Sequence, residues 1–387
     1  MSDVPILAIN SGSSTLKFGL FSLENGEERP LLRGSAEGIG KDGGKLEVFD
    51  GAGKLLHHED RKYASQREAL EHLTETLNQL HEPKPGAVGH RVVHGGAKLR
   101  DHARIDDKVL ATLDAAVHFA PLHIPTSIEL IRAAQSVYPG IPQFACFDTA
   151  FHQTMPEEAW HYPLPETFVT EGVRRYGFHG LSYASIVHTL GGALKPRAVI
   201  AHLGNGASLC AVRDGKSVDT SMGMTPTGGI PMGTRTGDLD PGVLLYLMRV
   251  HHLDDQALES LLNHDSGLKA LGGDSDMRKL DEAAGKGSHE AALAIEIFCR
   301  AVARTVAAFA VSLGGLDQLI FAGGIGEHSA SVRANVADKL AWLGVQLDDA
   351  RNRDAAKVIS EEGEPIEVLI VGSEEEAQIA REVRRLL

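Results

Sequence analysis

Covalent cross-links and membrane anchors have little to work with in this sequence. Its 387 residues hold three cysteines, Cys146, Cys210 and Cys299, too few and too scattered for a disulfide framework, and no CxxC pair suggests a structural zinc. A reducing cytoplasm is the expected setting. No apolar run approaches membrane-spanning length, and MSDVPILAIN lacks a charged segment followed by a long apolar stretch, so neither secretion nor insertion is expected. Positive charge is also in deficit: 38 Lys and Arg against 52 Asp and Glu leave a formal charge of −14. That balance repels a nucleic-acid backbone, and a small anionic substrate would need a local cluster of Arg and Lys to outweigh it. No GxxxxGK[ST] string occurs, which excludes a P-loop. The nineteen histidines include no HExxH and no evident zinc triad.

Hydrophobic residues make up 43% and charged ones 23%, so every sizeable segment can bury an apolar face, and the length suits two lobes. Ile6 to Asn10 reads as a strand that turns at SGSS and returns as LKFGLF; NGEE, KDGGK and DGAGK then mark further hairpin turns. Residues 66 to 81 place Ala69, Leu70, Leu73, Leu77 and Leu80 at helical spacing. Helical stretches near 107 to 118 and 126 to 137 and a buried strand at PQFACFD complete an α/β domain ending near Asp148. The second half opens in the same way: at a constant offset of 193, Val199 to Leu209 lies over Ile6 to Leu16 without a gap. DGK at 214 to 216 supplies the next hairpin turn, and a long Ala-rich helix over 289 to 313 precedes the strand LDQLIFAGG. Two similar α/β lobes would create a cleft between them, the usual position for a nucleotide.

Backbone N–H groups reach a phosphate chain only where small residues let a turn come close. Three turns qualify: Asn10 to Lys17, with hydroxyls on Ser13, Ser14 and Thr15 and a charge on Lys17; HLGNGAS at 202 to 208; and FAGGIGEHS at 321 to 329. The last lacks the third glycine of a dinucleotide fingerprint. Arg91 in GHRVVHGG and Arg235 in PMGTRTGDLDPG lie in glycine-rich segments, and a guanidinium there can grip carboxylate or phosphate with two parallel bonds. Asp148 and His179 sit beside turns at the ends of apolar strands.

The strings INSGSSTLKF, GHRVVHGG, FAPLH, FDTAFHQTMP, RRYGFHGLSY, HLGNGAS, TPTGGIPMGTRTGDLDPG, SDMR, FAGGIGEHS and SEEEAQIARE, in this order, resemble those of the acetate kinase family over essentially the whole chain. The resemblance implies two ribonuclease H-like lobes (a duplicated βββαβαβα) with an interlobe cleft, as in sugar kinases, actin and chaperone ATPases. The lobes would be residues 1–149, with the C-terminal helix 376–387 packing on them, and residues 150–375. It also implies ATP/ADP as co-substrate, acetate as acceptor, Mg²⁺ or Mn²⁺ as cofactor and a homodimer.

Carried over by position, Asn10 and Glu375 would hold the metal. Lys17, Ser13 and Thr15, His202, Leu203, Gly204, Asn205 and Gly206, Asp276, Met277 and Arg278, and Gly324, Ile325, Gly326, Glu327 and His328 would surround the nucleotide. Arg91 would bind the acetate carboxylate, with Val93, Leu122, Phe178 and Pro226 forming a methyl pocket. Asp148, His179, Arg235 and Arg91 would be catalytic. Thr15, His328 and Ile124 depart from the family's usual Ser, Asn and Asn. The alternatives are a propionate or butyrate kinase of the same family and an ATP-driven binding module without kinase activity.

Overall fold

A computed structural model describes residues 4–12 and 14–387. The chain forms two compact units, one of Met1–Ala150, Gly180–Ser185 and Glu374–Leu387, the other of Phe151–His179 and Ile186–Ser373.

The first unit is built on an eight-stranded sheet of β1 (Ile6–Ser11), β2 (Thr15–Glu24), β3 (Glu27–Glu37), β4 (Lys45–Asp50), β5 (Leu55–Asp60), β6 (Ala87–Val92), β7 (Ala103–Arg104) and β8 (Gln143–Phe147). The spatial order is β5-β4-β3-β2-β1-β6-β8-β7. Strands β1 to β5 are antiparallel, as their short turns require, whereas β6 runs parallel to β1 and β8 parallel to β6. The parallel joins are made by helices Gln66–Gln79, Asp107–Ala115 and Ile124–Val137. The first starts in a reciprocal cap: Glu68 N donates to Ser65 Oγ at 3.2 Å, and the Glu68 carboxylate accepts from Ala64 N at 2.8 Å.

Strand β1 is buried on both faces, and its alternation sorts the core. Leu7 and Ile9 pack with Leu70, Leu73, Leu130 and Ala134 from the helices on one side. Ile6 and Ala8 pack on the other with Ala87, Phe144, Cys146, Ile379, Ala380 and Val383. The last three belong to helix Glu375–Leu386, which lies so close to β6 that a Cβ on Gly89 would stand 2.5 Å from Ile379 Cγ2. Arg384 of this helix makes an ion pair with Glu28 at 2.7 Å, both side chains almost wholly buried.

The second unit repeats the theme with β9 (Arg197–Leu203), β10 (Ala207–Arg213), β11 (Lys216–Thr220), β12 (Gln318–Ala322) and β13 (Glu367–Ile370), in the order β11-β10-β9-β12-β13. Here too an antiparallel three-stranded start is followed by two parallel strands, so this order matches β3-β2-β1-β6-β8 strand for strand. The duplicated ribonuclease H-like arrangement read from the sequence is present. The gapless overlay holds for the first strand of each hairpin but not for the second. Ala8 pairs with Gly19, whereas its counterpart Ala201 pairs with Leu209, the counterpart of Leu16. The second turn is three residues tighter. Helix His289–Leu313 runs as expected from its Ser288 cap to Gly314 in the left-handed region. Among the described residues no helix is long and apolar enough to cross a membrane.

Candidate active site

Strand alternation decides what gathers at the C-terminal ends of β1, β6 and β8. Ile6 and Ala8, Ala87, and Phe144 and Cys146 face the C-terminal helix. Continuing by steps of two puts Asn10, Arg91 and Asp148 on that same side. The side chains meet there. Arg91 Nε donates to both oxygens of Asp148 at 3.0 and 3.1 Å and Nη2 donates to Oδ2 at 2.6 Å, while Nη1 reaches Asn10 Oδ1 at 3.3 Å. Asn10 Nδ2 donates to Glu375 Oε2 at 2.9 Å and to Glu376 Oε1 at 2.8 Å, both in the first turn of the C-terminal helix. Burial works against the charge of Arg91, but the carboxylates of Asp148, Glu375 and Glu376 outweigh it and hold the guanidinium pKa above its ordinary value. Burial, and then the Glu375 charge beside it, raises the Glu376 carboxyl.

These groups fit a hard divalent cation. Glu375 and Glu376 supply two neighbouring carboxylates, while Asn10 turns Nδ2 toward them and its carbonyl toward Arg91, so a flip of the amide would add a third oxygen. Magnesium is commonly held by one or two protein carboxylates with water and substrate oxygens completing its shell. No group of three or more His, Cys, Asp or Glu side chains able to hold a metal occurs among the described residues.

In the second unit, His179 sits at φ 58° and ψ 24°, a left-handed conformation that costs a non-glycine residue energy, at the start of helix Gly180–Leu190. Its ring is fixed on two sides. Nδ1 lies 2.8 Å from Ser208 Oγ, and the ring stacks on His202 with centroids 4.6 Å apart. Arg235 donates from Nη1 to Pro226 O at 3.1 Å, at the end of a tight turn in which Met232 N donates to Arg235 O. Both side chains border the glycine turn joining β9 to β10. A Cβ on Gly206 would stand 3.4 Å from His179 Nε2 and 3.5 Å from Arg235 Nη1. These are ordinary van der Waals distances, so the backbone of the turn runs directly beside the imidazole and the guanidinium.

That turn also borders a cavity of about 700 Å³. Of the residues assigned to the nucleotide, Gly204, Asn205, Asp276, Met277, Arg278, Gly324, Ile325 and His328 line it. His202, Leu203, Gly206, Gly326 and Glu327 are neighbours in sequence and lie outside the lining itself. Asp276 caps helix Met277–Gly285, accepting from Arg278 N, and its carboxylate pairs with the Arg278 guanidinium at 2.7 Å. Those bonds hold its pKa down to about 2. Ser275, Asp281, Ser329, Ala330 and Ser331 complete the wall; Ser275 and Ser329 fall in the SDMR and FAGGIGEHS strings but carried no assigned role, and Asp281, Ala330 and Ser331 were not singled out. Asp281 had a usable signal: it follows Met277 by four residues on the same helix face, and it accepts from Ser331 Oγ at 2.8 Å.

The remaining assigned residues are divided between the units. Lys17 is exposed and Thr15 half-buried on β2, with Thr15 O accepting from Gly12 N, whereas Ser13 lies outside the described residues. Val93 is buried and Leu122 is 44% exposed in the first unit; Phe178 and Pro226 are buried in the second. Phe178 O accepts from His152 Nε2 at 3.0 Å, which anchors the bend leading into His179.

Comparison with known proteins matches nearly the full length of the chain. The acetokinase family model matches residues 5–381. The acetate kinase of Dichelobacter nodosus is 43% identical over 392 residues, covering 98% of each chain, and the propionate kinase of Citrobacter rodentium is 41% identical over 98% of this chain and 96% of its own. Among solved structures, a propionate kinase from Francisella tularensis superposes with a TM-score of 0.90 at 37% identity, covering 98% of both chains. The acetate kinase of Porphyromonas gingivalis gives 0.87 at 34% identity over 99% of both. Matched by the family model over residues 5–381 and by a relative 43% identical over 98% of its length, this chain belongs to the acetokinase family, phosphotransferases whose acceptor is a carboxyl group.

Proposed function

We propose that this chain catalyses the reversible transfer of the γ-phosphoryl group of ATP to acetate, giving acetyl phosphate and ADP in one in-line displacement. The observation that carries this reading is the turn Gly204–Gly206. Gly204 and Asn205 line the cavity, while the backbone of Gly206 passes His179 Nε2 and Arg235 Nη1. A nucleotide in the cavity with its phosphates over this turn presents its terminal group to an imidazole and a guanidinium.

Such acids titrate near ~4 to 5, so acetate is ionised at neutral pH and needs no general base. The obstacle is anion meeting anion. At about 4 Å and an effective dielectric near 20, each pair of unit charges repels by roughly 4 kcal/mol. Arg91 and Arg235 offset that repulsion at the acceptor and at the phosphoryl group, and His179 donates to a phosphoryl oxygen as charge develops there. Asp148 engages Arg91 through three bonds, so its role is to aim the guanidinium rather than to accept a proton. Asn10 and Glu375, with Glu376 beside them, would hold Mg²⁺ or Mn²⁺, which supplies charge neutralisation at the phosphates when bound.

Propionate is the second acceptor to consider, since propionate kinases are nearly as similar to this chain as acetate kinases are. The reading includes a homodimer. Helix Pro241–Val250 has no buried residue and exposes Val243, Leu245, Tyr246, Met248 and Val250 by 41–55%, and a second copy would cover this apolar surface. Three free, buried cysteines suit a reducing cytoplasm. Trapping the acyl phosphate with hydroxylamine across acetate, propionate and butyrate tests the function. Hydroxamate that requires both ATP and acid, highest with acetate, is expected; ATP consumption at the same rate without acid would contradict the proposal.

A further inference from the structure

Among the described residues Arg333, in helix Ala330–Leu340, is the largest side chain wholly withdrawn from solvent, with 0% exposure. Four of its five N–H groups donate to neutral oxygens. Nε donates to Asn352 Oδ1 at 2.7 Å, Nη2 to Asn352 O at 2.7 Å, and Nη1 to Gly326 O and Glu327 O at 2.9 Å each. No carboxylate is among its partners, and burial alone holds its pKa below the usual arginine value. A buried charge without a counter-charge is costly, and a neutral, well-packed residue would serve the fold at lower cost. The position therefore calls for a task that a neutral side chain cannot perform.

The task is visible in what it grips. Gly326 and Glu327 lie in the short helix Gly323–His328, whose Gly324, Ile325 and His328 line the 700 Å³ cavity. The final carbonyls of a helix have no acceptor role within it and need outside donors. Arg333 supplies them from the interior, where water does not reach. Asn352 holds the guanidinium in place and is itself tied by Nδ2 to Ala330 O at 3.0 Å.

We infer that Arg333 is a positioning residue for the nucleotide subsite, fixing the Gly324–His328 wall in the shape that receives ATP. The inference rests on the reading of that cavity as the nucleotide site. Its test combines steady-state kinetics with thermal melting, with and without ATP, for Arg333→Lys, Arg333→Met and Asn352→Ala. Arg333→Lys and Asn352→Ala are expected to raise the KM for ATP by about ten-fold and to shrink the ATP-induced rise in Tm. The KM for the acid and kcat should stay within about two-fold. Arg333→Met should be more severe; if it fails to fold, the two milder variants still decide. Variants that melt lower without ATP yet keep the wild-type KM for ATP and the full ATP-induced shift would reduce Arg333 to a packing role and overturn the inference. A wild-type protein with no ATP-induced shift would overturn the cavity reading as well.

Discussion

The Nδ1 atom of His179 lies 2.8 Å from the hydroxyl of Ser208, a fully buried residue on β10. When Ser208 donates, the ring proton resides on Nε2, the atom beside the Gly206 turn. A neutral hydrogen bond of this kind is worth about 1 kcal/mol, roughly a five-fold factor in rate. Ser208→Ala should therefore lower kcat about five-fold while leaving the KM for ATP within two-fold. Equal loss in both parameters would show that the serine shapes the pocket instead.

Asp148 is 1% exposed and its partner Arg91 17%. Removing one charge of a buried pair costs about 3–5 kcal/mol. Asp148→Asn should lower thermal stability and reduce kcat by at least about 100-fold, without a new pH dependence on the acidic side. A retained rate would refute the assignment of Asp148 to the site.

Stability should fall on acidification before the carboxylates titrate. Burial holds His90 and His152 neutral, with pKa values lowered to about 4 from 6.5. Between these limits the unfolded chain binds protons that the folded chain refuses, so folding is favoured at high pH and weakened as pH drops from 6.5 towards 4. Each group contributes roughly 3 kcal/mol over that window. Urea unfolding at pH 7 and pH 5 should show the loss. Replacing His90 by Gln, which keeps a donor for Gln143 Oε1, should flatten the dependence, and an unchanged slope would contradict this account.

Tyr246 is 55% exposed on the apolar helix Pro241–Val250. Sedimentation should find the wild-type protein at twice the chain mass and Tyr246→Glu at the chain mass, because a charge in a buried interface is strongly unfavourable. A Tyr246→Glu protein that remains dimeric would place the interface elsewhere.

The hairpins, the repeated strand order and the long helix were legible because their signals are local: turn residues, period-two strands and a helix with a serine cap and a glycine stop. The register of the second hairpin was not, since a turn shortened by three residues leaves no mark on the apolar pattern that either register satisfies. Strand alternation could have brought Asn10, Arg91 and Asp148 together on one face, but only once β1, β6 and β8 were known to be neighbours. Arg333 was hidden for a different reason. In ASVRANVADKL a charged residue reads as the solvent face of a helix, and nothing local announces that the carbonyls of Gly326 and Glu327 lack donors. Ser331 on the cavity wall was overlooked in the same way, as an ordinary polar residue near a helix start.

The central claim is one direct, in-line transfer between two anions, and the stereochemistry at phosphorus tests it most directly. ATP made chiral at the γ-phosphoryl group with oxygen isotopes should yield acyl phosphate of inverted configuration. Retention would mean an even number of transfers through a phosphorylated enzyme and would contradict the account.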